Sequence, residues 1–323
     1  MKAAVLHAQG QLPRFEDFPD PHPGENEVLI TVRAAALKNV DKAMASGTHY
    51  DAHHELMPSI CGVDGVGILD DGSRVFCGGA RPPYGMMAER TVVSRRRCLP
   101  VPDALDDNTA AALPNPALSS WLPLVWRARL ERGETVLILG ATGVAGKLAI
   151  EIAKHLGAGR VVAAGRNRQI LETLPSLGAD ATIDLGQPDQ QLIQIFQDQV
   201  RQKHFDIVLD YVWGHPTEVL LRALTGRDVM AEGTRLRLIE IGEMAGPAIL
   251  MPAAALRSSG VEIYGSGGGS SIPHTAIFET FPQLWALAAS GKLRVDTEGV
   301  PLEDVERAWQ RTDLAGRRLV INP

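Results

Sequence analysis

Three glycines set three residues apart, Gly140, Gly143 and Gly146 in "LILGATGVAGKLAIEIAKHLG", carry the clearest chemistry in this 323-residue sequence. A glycine turn that follows a buried strand and opens a helix brings backbone N–H groups and the positive helix end to one point, which suits a pyrophosphate. The flanking residues predict that setting. "TVLIL" is an unbroken apolar run, and Val144, Leu148, Ile152 and Leu156 recur every four residues on one helical face before Gly157 stops the helix. The first glycine allows the tight turn, the second lets a diphosphate approach the backbone, and the third lets helix and strand pack closely.

The next apolar run ends in "AAGRNR". About 20 residues past the glycines, an NAD site carries an acidic residue that holds the ribose 2′-hydroxyl. No carboxylate stands there in this sequence. Gly165 removes side-chain bulk, and Arg166, Asn167 and Arg168 supply charge and donors that match a 2′-phosphate. An arginine in the first turn of a helix opposes the helix dipole, which disfavours a merely solvated role. The nucleotide expected from these residues is NADP(H).

The elements needed to hold these residues are legible too. From about Leu118, amphipathic segments alternate with six short apolar runs, "TVLIL", "RVVAA", "ATIDL", "FDIVLDYV", "RLRLIEI" and "VEIYG", the pattern of parallel βα units. Val212 and the Ile241, Gly242, Glu243 triplet fall at C-terminal strand ends, where such sheets bind ligands. The first third instead alternates β-rich runs with turn clusters such as "PDPHPGENE" and "DDGS", and reads as a small antiparallel barrel. Within it "NVDKAMAS" predicts a short helix with Asn39 as its N-cap and Gly47 at its end. The last stretch, with a helix through "FETFPQLWALAAS", another through "LEDVERAWQRT" and a strand "RRLVIN", belongs with the barrel because the six-strand unit is already complete. The expected domains are 1–117, 118–265 and a return over 266–323.

A net charge of −6 offers no general attraction for nucleic acid or an anionic membrane, so any phosphate recognition is local. No run approaches the roughly 20 apolar residues of a membrane span, and the start has no secretory pattern. Three cysteines without CxxC spacing argue against a disulfide framework and fit a reducing cytoplasm. Cys61 and Cys77 read as small buried barrel residues. The cluster His49, His53, His54 and Glu55 lacks a helical pattern and reads as a solvated loop rather than a metal site.

In order and spacing, "PGENEVLITVRAAALKNVD", "ICGVDGVGIL", "LPNPALSSWLPL", "GATGVAG", "LGAD", "LIEIGEMAG", "LRSSGVEIYGS" and "VERAWQRTDLAGRRLVINP" resemble the medium-chain dehydrogenase/reductase superfamily. Within it the likeness is to the zinc-independent quinone oxidoreductase and enoyl reductase branch. The resemblance implies an α/β fold, a Rossmann doubly wound parallel sheet plus a GroES-like β-barrel catalytic domain, with a substrate cleft where they meet. It implies an NADPH-dependent reductase, commonly a homodimer joined through the edge strand "VEIYG". It places Thr142, Gly143 and Val144 on the diphosphate, Arg166 to Arg168 on the adenosine phosphate, and Gly265 and Ser266 beside the nicotinamide.

Departures from the zinc alcohol dehydrogenases are equally informative. Where those carry a cysteine three residues before an aspartate, this chain has Lys38 before Asp41, and their G-H-E motif is Gly62, Val63 and Asp64. Their four-cysteine lobe has no counterpart. Catalytic zinc needs three protein ligands, and the loss of two removes the site, so no metal is expected. Hydride transfer to a quinone or an α,β-unsaturated carbonyl needs stacked positioning and a donor for the developing oxyanion. Lys38, Asn39 and Tyr50, on the loop that faces the nicotinamide in the family, are the candidate donors. Their plainer roles are a surface ammonium, a helix N-cap and a barrel-edge aromatic. The alternative is a non-catalytic NADPH-binding or sensor protein of the same fold.

Overall fold

The computed structural model describes residues 1–52, 56–225, 235–267 and 272–323. Two compact units emerge, one formed by Met1–Pro114 with Trp285–Pro323 and the other by Asn115–Leu284. The second unit runs past 265, where the sequence alone sets the boundary, because the helix that follows belongs to it for most of its length.

The first unit opens with β1 (Lys2–Leu6), β2 (Arg14–Asp17) and β3 (Glu27–Ala36), then α1 (Asn39–Ser46). There follow β4 (Ser59–Ile60), β5 (Asp64–Ile68), β6 (Arg74–Gly78), β7 (Arg90–Ser94) and β8 (Leu99–Pro100), and α2 (Asp107–Ala112). Strand β3 buries alternate residues along most of its length, as expected of a strand with one face on a core. It pairs antiparallel with β5 and β7, and β5 pairs with β6. The helix α1 is not capped by Asn39. Lys38 is its N-cap, and the Asp41 carboxylate accepts the Lys38 N–H at 2.7 Å. Gly47 ends it in the left-handed conformation, φ 76°, as expected of a helix-terminal glycine.

The second unit contains α3 (Pro114–Leu122), which straddles its border, and then β9 (Thr135–Leu139), α4 (Val144–His155), β10 (Arg160–Gly165), α5 (Arg168–Leu171) and β11 (Ala181–Asp184). It continues with α6 (Asp189–Gln202), β12 (Ile207–Asp210), α7 (Gly214–Leu224), β13 (Leu236–Glu240), α8 (Ala253–Ser259), β14 (Val261–Gly265) and α9 (His274–Ala289). The six strands are all parallel in the order β11-β10-β9-β12-β13-β14, a doubly wound sheet whose order reverses between β9 and β12. Every residue of β9 is buried, which explains its unbroken apolar run: helices cover both faces of a parallel sheet. Leu137, Val162, Phe196, Phe205, Val208 and Leu238 are among the residues of this unit's core.

The chain then returns to the first unit through β15 (Thr297–Pro301), α10 (Val305–Gln310) and β16 (Arg318–Asn322). Strand β16 pairs antiparallel with β3, Val320 opposite Ala36, and completes the sheet β15-β16-β3-β5-β6-β8. Ile30, Val32, Met86, Leu319 and Ile321 lie in one core. Among the described residues, no helix is long and apolar enough to cross a membrane.

Candidate active site

In the second unit, the turn between β9 and α4 forms a cradle. Gly140 has φ +91°, a conformation that L side chains avoid, and a Cβ added to it would stand 3.0 Å from the Val212 side chain. Gly143 is the N-cap of α4 and brings no capping side chain, so the first-turn N–H groups of that helix are left for a ligand. A Cβ on Gly143 would meet only the Gly140 carbonyl, at 3.5 Å, which leaves the approach open. A Cβ on Gly146 would stand 2.4 Å from that same carbonyl and 2.5 Å from Ala141 Cα, so the third glycine is what lets α4 lie against the strand end. This arrangement fits the diphosphate of a dinucleotide.

At the end of β10 the reason for Gly165 differs from the sequence reading. The space beside it is taken by Thr142, whose methyl carbon would be 2.4 Å from an added Cβ. A Gly165→Ala change is therefore expected to cost about 1–3 kcal/mol by overpacking. Because the conflict is with a side chain, Thr142→Ala in the same chain should recover most of the loss. Urea unfolding of the single and double variants checks this; a double variant as unstable as Gly165→Ala alone would refute the contact as the cause.

Asn167 caps α5 by accepting the Ile170 N–H at 3.2 Å. Arg168 is 72% exposed, and its Nε donates to Asp184 Oδ2 at 2.6 Å. The Asp184 carboxyl is held below the usual carboxylate range by the Gly186 N–H and then by Arg168. Arg166 is exposed. The basic triplet thus surrounds the β10 end, with Arg168 neutralising the carboxylate in the neighbouring strand.

The strand ends across the reversal point contain residues that sequence reasoning missed. Asp210, fully buried, accepts the Val212 and Trp213 N–H groups at 2.9 and 2.8 Å, and Thr217 Oγ1 donates to it at 2.5 Å. Those bonds hold Trp213 at φ 49°, an unusual conformation for a bulky residue, and so fix the loop that carries Val212. The Ile241 and Gly242 N–H groups both donate to the Asp210 carbonyl, at 2.8 and 3.2 Å. The buried Tyr211 hydroxyl lies 2.7 Å from Ser120 Oγ and donates to Ser119 O at 3.1 Å. Ser266 N–H donates to Glu240 O at 2.8 Å, which carries β14's ladder one residue past Gly265. Gly140, Thr142 to Val144, Arg166 to Arg168, Val212, Ile241 to Glu243, Gly265 and Ser266 therefore all lie at the C-terminal edge of one sheet.

In the first unit, Lys38 is not a surface ammonium. It is only 2% exposed, and its Nζ donates to Ala36 O at 2.9 Å and to Asp64 Oδ1 at 2.8 Å, with Asp41 Oδ2 at 3.4 Å. Burial pulls the ammonium pKa down, but the Asp41 and Asp64 carboxylates outweigh it and the net direction is up. Asp64 moves up as well, because burial outweighs the stabilising charge of Lys38. Arg318 on β16 donates to Leu37 O at 3.2 Å and feels both carboxylates, so two cations balance two anions. Asp41 also accepts the Val63 N–H at 2.9 Å, tying α1 to the segment before β5.

Asn39 is exposed at the first position of α1. Tyr50 lies past the opposite end of that helix, 68% exposed and stacked on His49 with ring centroids 4.1 Å apart. The three donors are thus not brought to a single point. His53, His54 and Glu55 lie outside the described residues. Among the described residues, no three His, Cys, Asp or Glu side chains are placed to hold a metal ion.

Residues 145–290 match the family described as "Zinc-binding dehydrogenase". A curated relative, "Probable NADPH-dependent quinone reductase tdiC" of Emericella nidulans, is 28% identical over 96% of this chain and 96% of its own length. The quinone oxidoreductase of Thermus thermophilus, solved also in complex with NADPH, is 27% identical with a TM-score of 0.81 over the whole of both chains. Together these likenesses indicate the medium-chain dehydrogenase/reductase superfamily, in its quinone-oxidoreductase-like branch. A further relative, the "NADPH-dependent alkenal/one oxidoreductase, chloroplastic" of Arabidopsis thaliana, is 32% identical over 51% of this chain and 46% of its own. The zinc-binding description covers the nucleotide-binding half, whereas the superfamily's zinc positions fall on Lys38 and on Gly62, Val63 and Asp64, outside the matched residues. In line with these full-length likenesses to quinone reductases, the protein is an oxidoreductase.

Proposed function

We propose that this enzyme is an NADPH-dependent, metal-free reductase of quinones or α,β-unsaturated carbonyl compounds. The observation that carries the reading is the Lys38 ammonium held between Asp41 and Asp64. An internal cation there neutralises the carboxylates that a divalent metal would need, and Lys38 stands where the superfamily's zinc enzymes place a cysteine ligand. Without a Lewis acid to polarise an unactivated alcohol or ketone, the electrophile must already be conjugated, so that its oxyanion is weakly basic.

When bound, NADPH would supply the hydride. The chain's own contribution is to hold the diphosphate on the Gly140–Gly146 turn and the 2′-phosphate on Arg166 to Arg168. Lys38 serves as an internal counter-ion, and Asn39 and Tyr50, both exposed, are the remaining donors to a substrate oxygen. The same reading includes a homodimer joined along β14, the edge strand of its sheet, and a reducing, cytoplasmic setting for the three thiols. Light scattering of the purified protein tests the dimer.

Oxidation of NADPH with a panel of quinones and enones, in excess chelator, tests the chemistry. Turnover that survives the chelator and falls with NADH is expected. No turnover by folded protein, or activity restored only by added zinc, would overturn the proposal. Arg166→Ala is expected to raise the KM for NADPH about tenfold, the loss of one charge-assisted bond of about 1.5 kcal/mol, with the KM for NADH unchanged.

A further inference from the structure

We propose that Cys77 and Cys98 form a redox-active dithiol that closes to a disulfide by exchange with a small disulfide such as oxidised glutathione. The register places them face to face. Strands β6 and β8 pair antiparallel with Val75 opposite Pro100 and Phe76 opposite Leu99, so the next pair outward is Cys77 with Cys98. The Val101 N–H donates to Arg74 O at 3.1 Å, which makes Arg74 and Val101 a hydrogen-bonded pair. Alternation along the ladder then puts Cys77 and Cys98 in the non-bonded class, where Cα atoms lie about 4.5 Å apart, inside the roughly 4.4–6.8 Å span of disulfides. In the free dithiol, Cys98 Sγ lies 3.9 Å from Ser94 O.

Their surroundings divide the labour. Cys98 is half-buried and follows three exposed arginines, Arg95 to Arg97. The Cys77 thiol and then the Arg95 charge hold Cys98 below the ordinary thiol range, whereas Cys77 is fully buried and pushed well above it. Cys98 is thus the attacking thiolate and Cys77 the resolving thiol. Cys98 sulfur attacks one sulfur of the small disulfide, forms a mixed disulfide and expels one thiolate. Cys77 gives up its proton, attacks the Cys98 sulfur and expels the second thiolate. Two protein thiols are oxidised by two electrons, and the small disulfide is reduced to two thiols that take up the two protons.

Cys61 supplies the internal control. It is buried, and burial followed by the nearby Asp41 charge pushes its thiol up to about 12. Native protein is incubated with oxidised glutathione, quenched in acid, then alkylated after denaturation and mapped by mass spectrometry. Two of the three thiols should become unavailable, in a single Cys77–Cys98 link with no glutathione left on the chain. Cys77→Ser should stop at a glutathione adduct on Cys98, and Cys98→Ser should stay reduced. In native wild-type protein Cys98 should alkylate at least roughly tenfold faster than Cys61. The proposal is overturned if, with the circular dichroism of the folded protein unchanged, all three thiols stay available, the adduct on wild-type Cys98 never resolves, or the link forms through Cys61.

Discussion

Replacing Gly146 with alanine is expected to destabilise the protein by about 1–3 kcal/mol and to weaken NADPH binding by about a hundredfold. In most helices the same change is stabilising by about 1 kcal/mol, because alanine has the higher helix propensity. Here the sign reverses. The added methyl would lie 2.4 Å from Gly140 O and 2.5 Å from Ala141 Cα, both backbone atoms that no rotamer change can move aside. The first turn of α4 must therefore lift off the end of β9, and the N–H groups proposed to hold the diphosphate move with it. Thermal unfolding and NADPH titration by fluorescence provide the readouts. A variant more stable than wild type, with unchanged affinity, would show that the close approach of helix and strand is dispensable.

Lys38→Met should be the most destabilising single change in the first unit, by about 3–5 kcal/mol, because removing one partner of a buried pair strands the other. Asp41 keeps the Lys38 and Val63 N–H groups, so the stranded charge is that of Asp64. Asp64→Asn in the same chain should accordingly recover much of the loss. The pH dependence follows from the direction of the shifts. The folded-state pKa of Lys38 is raised, so its contribution is complete below its unfolded value and fades only in strong alkali. The folded-state pKa of Asp64 is also raised, and losing the ammonium raises it further. A carboxyl shifted upward favours the folded state below its unfolded pKa and loses that advantage as pH rises through the folded one. The deficit of Lys38→Met should therefore shrink between about pH 8 and about pH 5. Urea unfolding at both values measures it, and an equal deficit at each would show that Asp64 is not the source.

Lys38 also shows where sequence reading stops. Lysine is almost never fully buried unless paired, and its main partner lies 26 positions along the chain, beyond any local pattern. The same distance problem hid Ser120, which meets Tyr211 from 91 positions away, whereas Asp210 bonds to neighbours two, three and seven positions on and is a clamp only because the strand ends there. Asn39 was misplaced by one residue as the cap because its type is favoured there, while the carboxylate of Asp41 does the capping in the reverse direction. By contrast, the central strands β9, β10 and β12 were readable because parallel strands covered on both faces are almost continuously apolar. The short β2, β4 and β8, of four, two and two residues, carry too few positions for a period to register. Arg166, Asn167 and Arg168 were legible as a basic group, but the tie between Arg168 and Asp184 was not.

The pairing of β3 with β16 has a consequence for biosynthesis. Ala36 cannot find Val320 until synthesis has passed β16, whereas Asn115–Leu284 is contiguous and complete before then. The nascent protein should therefore acquire its nucleotide-binding half first, with the two separated pieces of the barrel waiting to be joined. Until the last strand docks, the edge of β3 that will receive it stays open, and that interval is when this protein is most exposed to aggregation and most dependent on chaperones.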